Sequence, residues 1–248
     1  MTHGDQVYIF GTHAVAEALV RAPHAVRHLY LVGGHDMAGI RTRAQELSIP
    51  FDRCDEEHLP HGVERDIVHQ GVVALIAPSK MLVSYKDFID TLTSDSSTAL
   101  VLLDELTDPH NVGAVIRSAA AFGLAGVLIP EYRQAPVTGT TVKVSAGMAF
   151  ALPLVSVHNV NTTLRDLKDK GFWVYGLTGE GDTKISDEDF SKPSVFVLGN
   201  EGRGLREKTE ALCDFKLSIP IDKRCESLNA AASAAVTFYA WRARHPLR

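Results

Sequence analysis

Leu106-Thr107-Asp108-Pro109-His110-Asn111-Val112-Gly113-Ala114-Val115-Ile116-Arg117 follows directly on the apolar run Leu100-Val101-Leu102-Leu103, and that junction decides how the chain is read. An apolar run of strand length that gives way to a polar, proline-bearing cluster and then a helical pattern is a strand-to-helix turn. Two further polar or glycine-rich clusters echo it. Gly199-Asn200-Glu201-Gly202-Arg203-Gly204-Leu205 follows Val195-Phe196-Val197-Leu198, and Ser227-Leu228-Asn229 comes after Phe215-Lys216-Leu217-Ser218-Ile219. Open α/β sheets place ligand sites outside the carboxyl ends of their strands. Three such clusters at three strand exits point to one composite pocket.

The surrounding pattern supports that sheet. From Ala99 onward, strand-like runs at Ala99–Leu103, Gly126–Ile129, Leu154–Val157 and Phe172–Leu177 alternate with helical stretches. The helices are expected from Asn111 to about Phe122, over Thr140–Phe150, over Thr162–Lys170 with Gly171 closing it, and over Leu228–Arg242. Two more strands precede the last helix. Alternation at this spacing argues for a mainly parallel sheet. The first 78 residues form a smaller α/β unit. It has a helix at His13–Val20 with Val15, Leu19 and Val20 on one side, a strand at His28–Val32 ending in Gly33-Gly34, a helix at Asp36–Leu47 and a buried strand at Gly71–Ile76. Residues 79–97 change character and include the Ser/Thr-rich stretch Thr91–Thr98, which marks a linker or a domain-opening helix and loop. The expected division is therefore 1–78, a 79–97 linker, and 98–248.

Composition narrows the class. With 248 residues, 45% apolar and 22% charged, the chain reads as a globular protein of one large or two modest domains. No apolar run approaches the roughly 20 residues of a membrane span. With Asp5 and no basic leader near the start, no secretory signal is expected. Cys54, Cys213 and Cys225 are odd in number and widely spaced, which fits reduced cytoplasmic thiols and no metal site. The formal charge of −5 does not advertise nucleic acid. Arg41, Arg43, Arg53 and Arg65 are the candidates for a local basic face, set against the equal reading of scattered solvated arginines.

A parallel sheet suggests a dinucleotide, yet no G-x-G-x-x-G follows the first strand of either unit and no P-loop pattern occurs. In Gly199-x-x-Gly202-x-Gly204 the glycines stand in another order, and Glu201 repels a phosphate. An anionic polar loop suits a positively charged cofactor such as S-adenosylmethionine.

At this point the residues meet a family. Asn111–Arg117, Leu198–Leu205, and Ile219-Pro220 through Ser227-Leu228-Asn229-Ala230 resemble, in order, the three motifs of the SpoU/TrmH branch of the SPOUT RNA 2'-O-methyltransferases. Gly11-Thr12-His13-Ala14-Val15 and His69-Gln70-Gly71-Val72-Val73-Ala74 resemble the L30e-like RNA-binding domain of the subgroup that modifies 23S rRNA guanosine. The resemblance implies an α/β fold: a C-terminal trefoil-knot domain with a mainly parallel sheet, preceded by an L30e-like substrate-binding domain. It also implies a cytoplasmic homodimer, S-adenosylmethionine as cofactor, and RNA, 23S rRNA above all, as partner, with no membrane and no metal. The alternatives are a tRNA 2'-O-methyltransferase and a catalytically silent RNA-binding or assembly protein of the same fold.

Position by position, the resemblance assigns catalytic roles to Arg117, Asn111, Glu201, Ser227 and Asn229. It assigns cofactor contacts to Leu177, Thr178, Gly179, Gly199, Glu201, Gly202, Ile219, Ile221 and Leu228. A guanidinium keeps its proton in nearly all settings, so Arg117 is expected to hold an RNA phosphate by a bidentate fork ahead of acting as a base. Each residue also has a plainer reading. Asn111 and Ser227 are candidate helix caps and Glu201 a solvated carboxylate. His69 is a candidate structural histidine and Cys225 incidental. Asn229, expected one turn inside the last helix, has no such easy explanation. Asp222-Lys223-Arg224-Cys225-Glu226 departs from the small residues usual at that point in the family, and Lys223 and Arg224 are candidates to face RNA phosphates.

Overall fold

The structure is a computed structural model that describes residues 6–34, 37–63 and 68–246. Asp5, Asp36 and Arg65 lie outside the described residues. The chain divides into two compact units, one running to Leu82 and joined by Val137–Ala151, the other made of Val83–Pro136 and Leu152–Arg248.

The first unit is a four-stranded sheet with helices. Its strands are β1 (Val7–Phe10), β2 (Val26–Val32), β3 (Phe51–Cys54) and β4 (Val72–Ile76), in the order β1-β4-β2-β3. β4 runs antiparallel to β1 and β2, while β2 and β3 are parallel. Helix α1 (Thr12–Arg21) buries Ala14, Val15, Ala18 and Leu19. Val20, expected on that face, is 62% exposed. At 100° per residue it points well away from Val15, and the two alanines complete the buried stripe instead. Helix α2 spans Ala38–Glu46. The two N-terminal segments that carry the family resemblance meet here: Gln70 Oε1 accepts from the Thr12 backbone N–H at 3.0 Å and from its hydroxyl at 3.1 Å. His69 is structural at this turn, its Nδ1 accepting from Gly71 N at 3.0 Å.

Within Val137–Ala151 the sequence predicts one helix over Thr140–Phe150, and the structure breaks it. Helix α5 (Gly139–Val144) ends there because Ala146 and Gly147 adopt φ of 51° and 81°, and consecutive left-handed residues cannot propagate a right-handed helix. Buried Ser145 closes the break, donating to Val142 O at 2.8 Å and accepting from Ala149 N at 3.2 Å.

The second unit holds an eight-stranded sheet. Its strands are β5 (Leu82–Ser84), β6 (Ala99–Leu103), β7 (Gly126–Pro130), β8 (Leu154–Val157), β9 (Trp173–Leu177), β10 (Thr183–Lys184), β11 (Ser194–Leu198) and β12 (Phe215–Ser218). The order is β10-β12-β9-β11-β6-β7-β8-β5, and the ladders from β10 through β8 are parallel. Strands β6, β7 and β11 are buried along their whole length, as expected of parallel strands covered on both faces. Helices α3 (Tyr85–Thr91), α4 (Pro109–Ala121), α6 (Val160–Asp169), α7 (Glu207–Glu210) and α8 (Ala230–Arg244) complete the unit. On α6 the residues Val160, Thr163, Leu164 and Leu167 are buried at helical spacing, and Asn159 caps its start at 3.0 Å from Thr162 N. Each buried leucine there contributes about 1.5–3 kcal/mol.

Chain direction sets the site. From β6 the chain proceeds to β7 and β8 on one side, while β11, β9 and β12 lie on the other. The strand order therefore switches between β6 and β11, whose ends pair Leu103 with Leu198. A crevice opens where neighbouring strands diverge in this way. The 106–117 and 199–205 segments leave from these two adjacent strands.

Candidate active site

Helix α4 is capped by Asp108, whose Oδ1 accepts from His110 N at 2.9 Å, with Pro109 in its first turn. Asn111 is thus released from the capping role open to it in the sequence; it lies inside the helix and is buried. Asn229 has the opposite fate. It stands at the start of α8, not one turn inside it, and its Oδ1 accepts from Ala231 N at 2.9 Å and Ala232 N at 3.3 Å. With that oxygen committed to the helix, only its Nδ2 is left to reach outward, and it donates to Asn111 Oδ1 at 2.9 Å. Asn111 Nδ2 then donates to Glu201 Oε1 at 3.1 Å. The helix N-terminus therefore sets the orientation of both amides, and a single directed chain links all three sequence clusters.

The Glu201 loop is itself tightly folded. Asn200 and Gly204 exchange backbone hydrogen bonds at 3.0 and 2.9 Å, and Asn200 Oδ1 accepts from Gly202 N at 3.0 Å. Gly199 is required by this closure: a Cβ there would sit 2.3 Å from the Gly204 carbonyl carbon. Asn200 Nδ2 donates to Glu105 O at 2.9 Å, and Arg206 Nε donates to the fully buried Asp104 carboxylate at 2.7 Å. The loop leaving β11 is thereby held at both ends to the loop leaving β6. Nothing in the motif pattern singled out Asp104 or Arg206; a charge at the end of an all-apolar strand, matched by an arginine after the glycine loop, was the available signal.

A cavity of about 470 Å³ lies beside this loop at the exits of β9, β11 and β12. Leu177, Thr178, Gly179, Gly199, Glu201, Gly202, Ile219, Ile221, Ser227 and Leu228 all line it. Asn111 and Asn229 support it from behind through Glu201. Arg117 is placed differently. It lies on the exposed face of α4, does not line the cavity, and has no hydrogen-bond or ion-pair partner among the described residues.

The lining fits S-adenosylmethionine. Its volume is that of a small-molecule site. Ile221 and Leu228 stay 36% and 38% exposed with no apolar cover, and a Cβ built at Gly179 meets only open space. Glu201 and Glu226 supply carboxylates beside these apolar walls, a set matched to a ligand that joins a flat neutral heterocycle to a positively charged sulfonium and ammonium. In the 222–226 loop, Arg224 folds back on Asp222 at 2.9 and 3.1 Å, which holds that carboxyl below its ordinary range. Lys223 is left without an ion pair among the described residues.

Residues 98–239 match the SpoU rRNA methylase family, and residues 8–82 match the RNA 2'-O ribose methyltransferase substrate-binding family. The chain is 37% identical to a 23S rRNA (guanosine-2'-O-)-methyltransferase, RlmB, of Pseudomonas aeruginosa over the full length of both. It is 35% identical to that of Pseudomonas syringae pv. tomato over 93% of each. Among solved structures, the SpoU methyltransferase AviRb of Streptomyces viridochromogenes in complex with AdoMet superposes with a TM-score of 0.81, covering 98% of this chain and 92% of that one, at 24% identity.

Proposed function

The chain belongs to the SpoU rRNA methylase family, and from that membership we propose that it methylates the 2'-hydroxyl of a guanosine ribose in 23S rRNA. It is an S-adenosylmethionine-dependent RNA 2'-O-methyltransferase. The observation that carries the reading within the chain is the Asn229–Asn111–Glu201 relay behind the cavity. A silent relative that merely kept the fold has no need of three buried or oriented polar groups directed at one loop.

S-adenosylmethionine supplies, when bound, a methyl group already activated by its sulfonium. Leu177, Thr178, Gly179, Gly199, Gly202, Ile219, Ile221 and Leu228 hold it, and Glu201 presents its carboxylate on the same wall. The protein's own task is then alignment and exclusion of water, and positioning of this kind accounts for about 7–11 kcal/mol of barrier reduction. Arg117 contributes a fixed charge and a planar fork for the phosphate next to the target ribose. Ser227 lines the cavity beside Leu228.

The working form in this reading is a cytoplasmic homodimer. Two features support the dimer: Arg117 stands away from its own chain's cavity, and Val236 and Tyr239, three residues apart on α8, are exposed apolar groups. No helix among the described residues is long and apolar enough to cross a membrane. The division into a substrate-binding part up to 78, a connection over 79–97 and a methyltransferase part from 98 belongs to the same proposal, with the compact units differing from it in that β5 and α3 join the second unit and Val137–Ala151 the first. Neither relative named above supports the tRNA alternative. Two measurements test the reading: methyl transfer to transcribed 23S rRNA by the purified chain, and mapping of ribose methylation in cells with and without it. A single lost guanosine methyl in 23S rRNA is the expected result; an unchanged rRNA map with a lost tRNA mark overturns it.

A further inference from the structure

A row of hollows runs from the cofactor cavity past the ends of β6, β7 and β8. The cavity shares Asn200 and Arg203 with an open depression of about 560 Å³. That depression in turn shares Glu105 and Arg133 with a 220 Å³ pocket bordered by Tyr132, His158 and Arg206. The three hollows therefore adjoin one another through shared walls and lie in a row within the second unit.

This row has an acidic floor and a basic rim. Asp104 is fully buried and matched by Arg206, and Glu105, only 18% exposed, lies 3.5 Å from both Arg133 and Arg206. The floor charges are thus answered within the protein. Arg133 reaches outward with 78% of its side chain exposed, and Arg203 has no ion pair among the described residues. At the far end an aromatic surface is fixed in place. The Tyr132 ring, 64% exposed, meets His158 edge-on at 5.5 Å, and His158 Nδ1 is held at 2.9 Å by Glu131, which also accepts from Ser156 at 2.9 Å.

Resting on the methyltransferase reading above, we infer that this groove carries the single-stranded RNA flanking the target nucleotide. Arg133 and Arg203 contact its phosphates, and Tyr132 with His158 stacks an unpaired base. Exposed arginines interleaved with an ordered aromatic surface are the chemistry that grips a single strand: the guanidinium neutralises the backbone, and any base offers a face to the ring. A duplex buries those faces against its own neighbouring bases. The overall negative charge of the chain makes this local rim the more necessary.

The test uses the full chain with transcribed 23S rRNA and an unstructured RNA oligonucleotide. Binding is read as a function of salt, cofactor affinity by calorimetry, and mass by sedimentation. Tyr132→Ala is expected to weaken binding of the oligonucleotide about 5- to 100-fold. Arg133→Ala is expected to lower the log–log salt slope by about 0.7. Both variants keep wild-type cofactor affinity and mass, and a duplex competitor displaces the oligonucleotide poorly. Wild-type RNA affinity and slope in both variants overturn the proposal, as does a changed mass, which makes this face a subunit contact. Failure of the wild-type chain to bind cofactor or transfer methyl overturns the methyltransferase reading instead, and the ratio of variant to wild-type RNA affinity still judges the groove.

Discussion

Asn229 donates its amide to the Asn111 carbonyl oxygen at 2.9 Å across 118 positions of sequence, and this contact joins the start of α8 to the interior of α4. It is one link of a directed series that ends on Glu201. Its direction is imposed by Ala231 and Ala232, whose backbone N–H groups claim the Asn229 oxygen.

Asn111→Ala removes an acceptor and a donor at once, leaving Asn229 and Glu201 each short of a partner. The expected loss is about 1–3 kcal/mol of stability. In a double-mutant cycle with Asn229→Ala, chemical denaturation is expected to show coupling of about 0.5–3 kcal/mol. Strict additivity of the two losses contradicts the link.

Arg117→Lys keeps the charge and loses the fork. Turnover on 23S rRNA is expected to fall by roughly 100-fold, the scale of a misplaced reacting group. S-adenosylmethionine affinity by calorimetry is expected to stay unchanged, because Arg117 does not line the cavity. Turnover equal to wild type refutes a role for this side chain.

Gly199→Ala forces a methyl group against the Gly204 backbone, which a flexible side chain cannot relieve. The loop must open, so cofactor binding is expected to be lost while far-UV circular dichroism stays native. Gly179→Ala is the contrast, with nothing within 4 Å of the added carbon; it is expected to fold normally and to weaken cofactor only by intruding on the cavity.

Burial pushes the Cys213 thiol up to about 12, with Glu210 and Asp214 adding to the effect and Lys168 opposing it. A raised acid of this kind favours the fold while it stays neutral. Its contribution is complete below about 9, the ordinary thiol value, and drains away as pH rises toward 12. The melting temperature is therefore expected to fall from pH 9 upward. At pH 8 a thiol reagent is expected to label exposed Cys225 rapidly and half-buried Cys213 far more slowly; equal labelling rates rule out this shielding.

The sheet was legible because its central strands are short, wholly apolar and bounded by punctuation. Leu100–Leu103, Gly126–Ile129 and Val195–Leu198 emerge within a residue of their expected limits. Strands β1, β3 and β10 were not legible, being two to four residues long and only partly buried, so no alternation had room to register. The three clusters of the site stood out for their residue types and order. What they do to one another did not. Capping of α4 by Asp108 frees Asn111, and capping of α8 by Asn229 orients the relay; both depend on where helices begin, which sequence sets least firmly. Asp104 and Arg206 stayed hidden because a lone charge reads as solvated until its burial is known.

The return of Val137–Ala151 to the first unit means that the polypeptide passes between units three times. No single cut releases a self-sufficient half. A fragment ending at Leu82 lacks the α5 turn that packs on β1, and one beginning at Val83 carries that turn as an orphan. Shuffling of the two parts between relatives must therefore exchange an inner segment along with an end, which ties their inheritance together more tightly than a linker would.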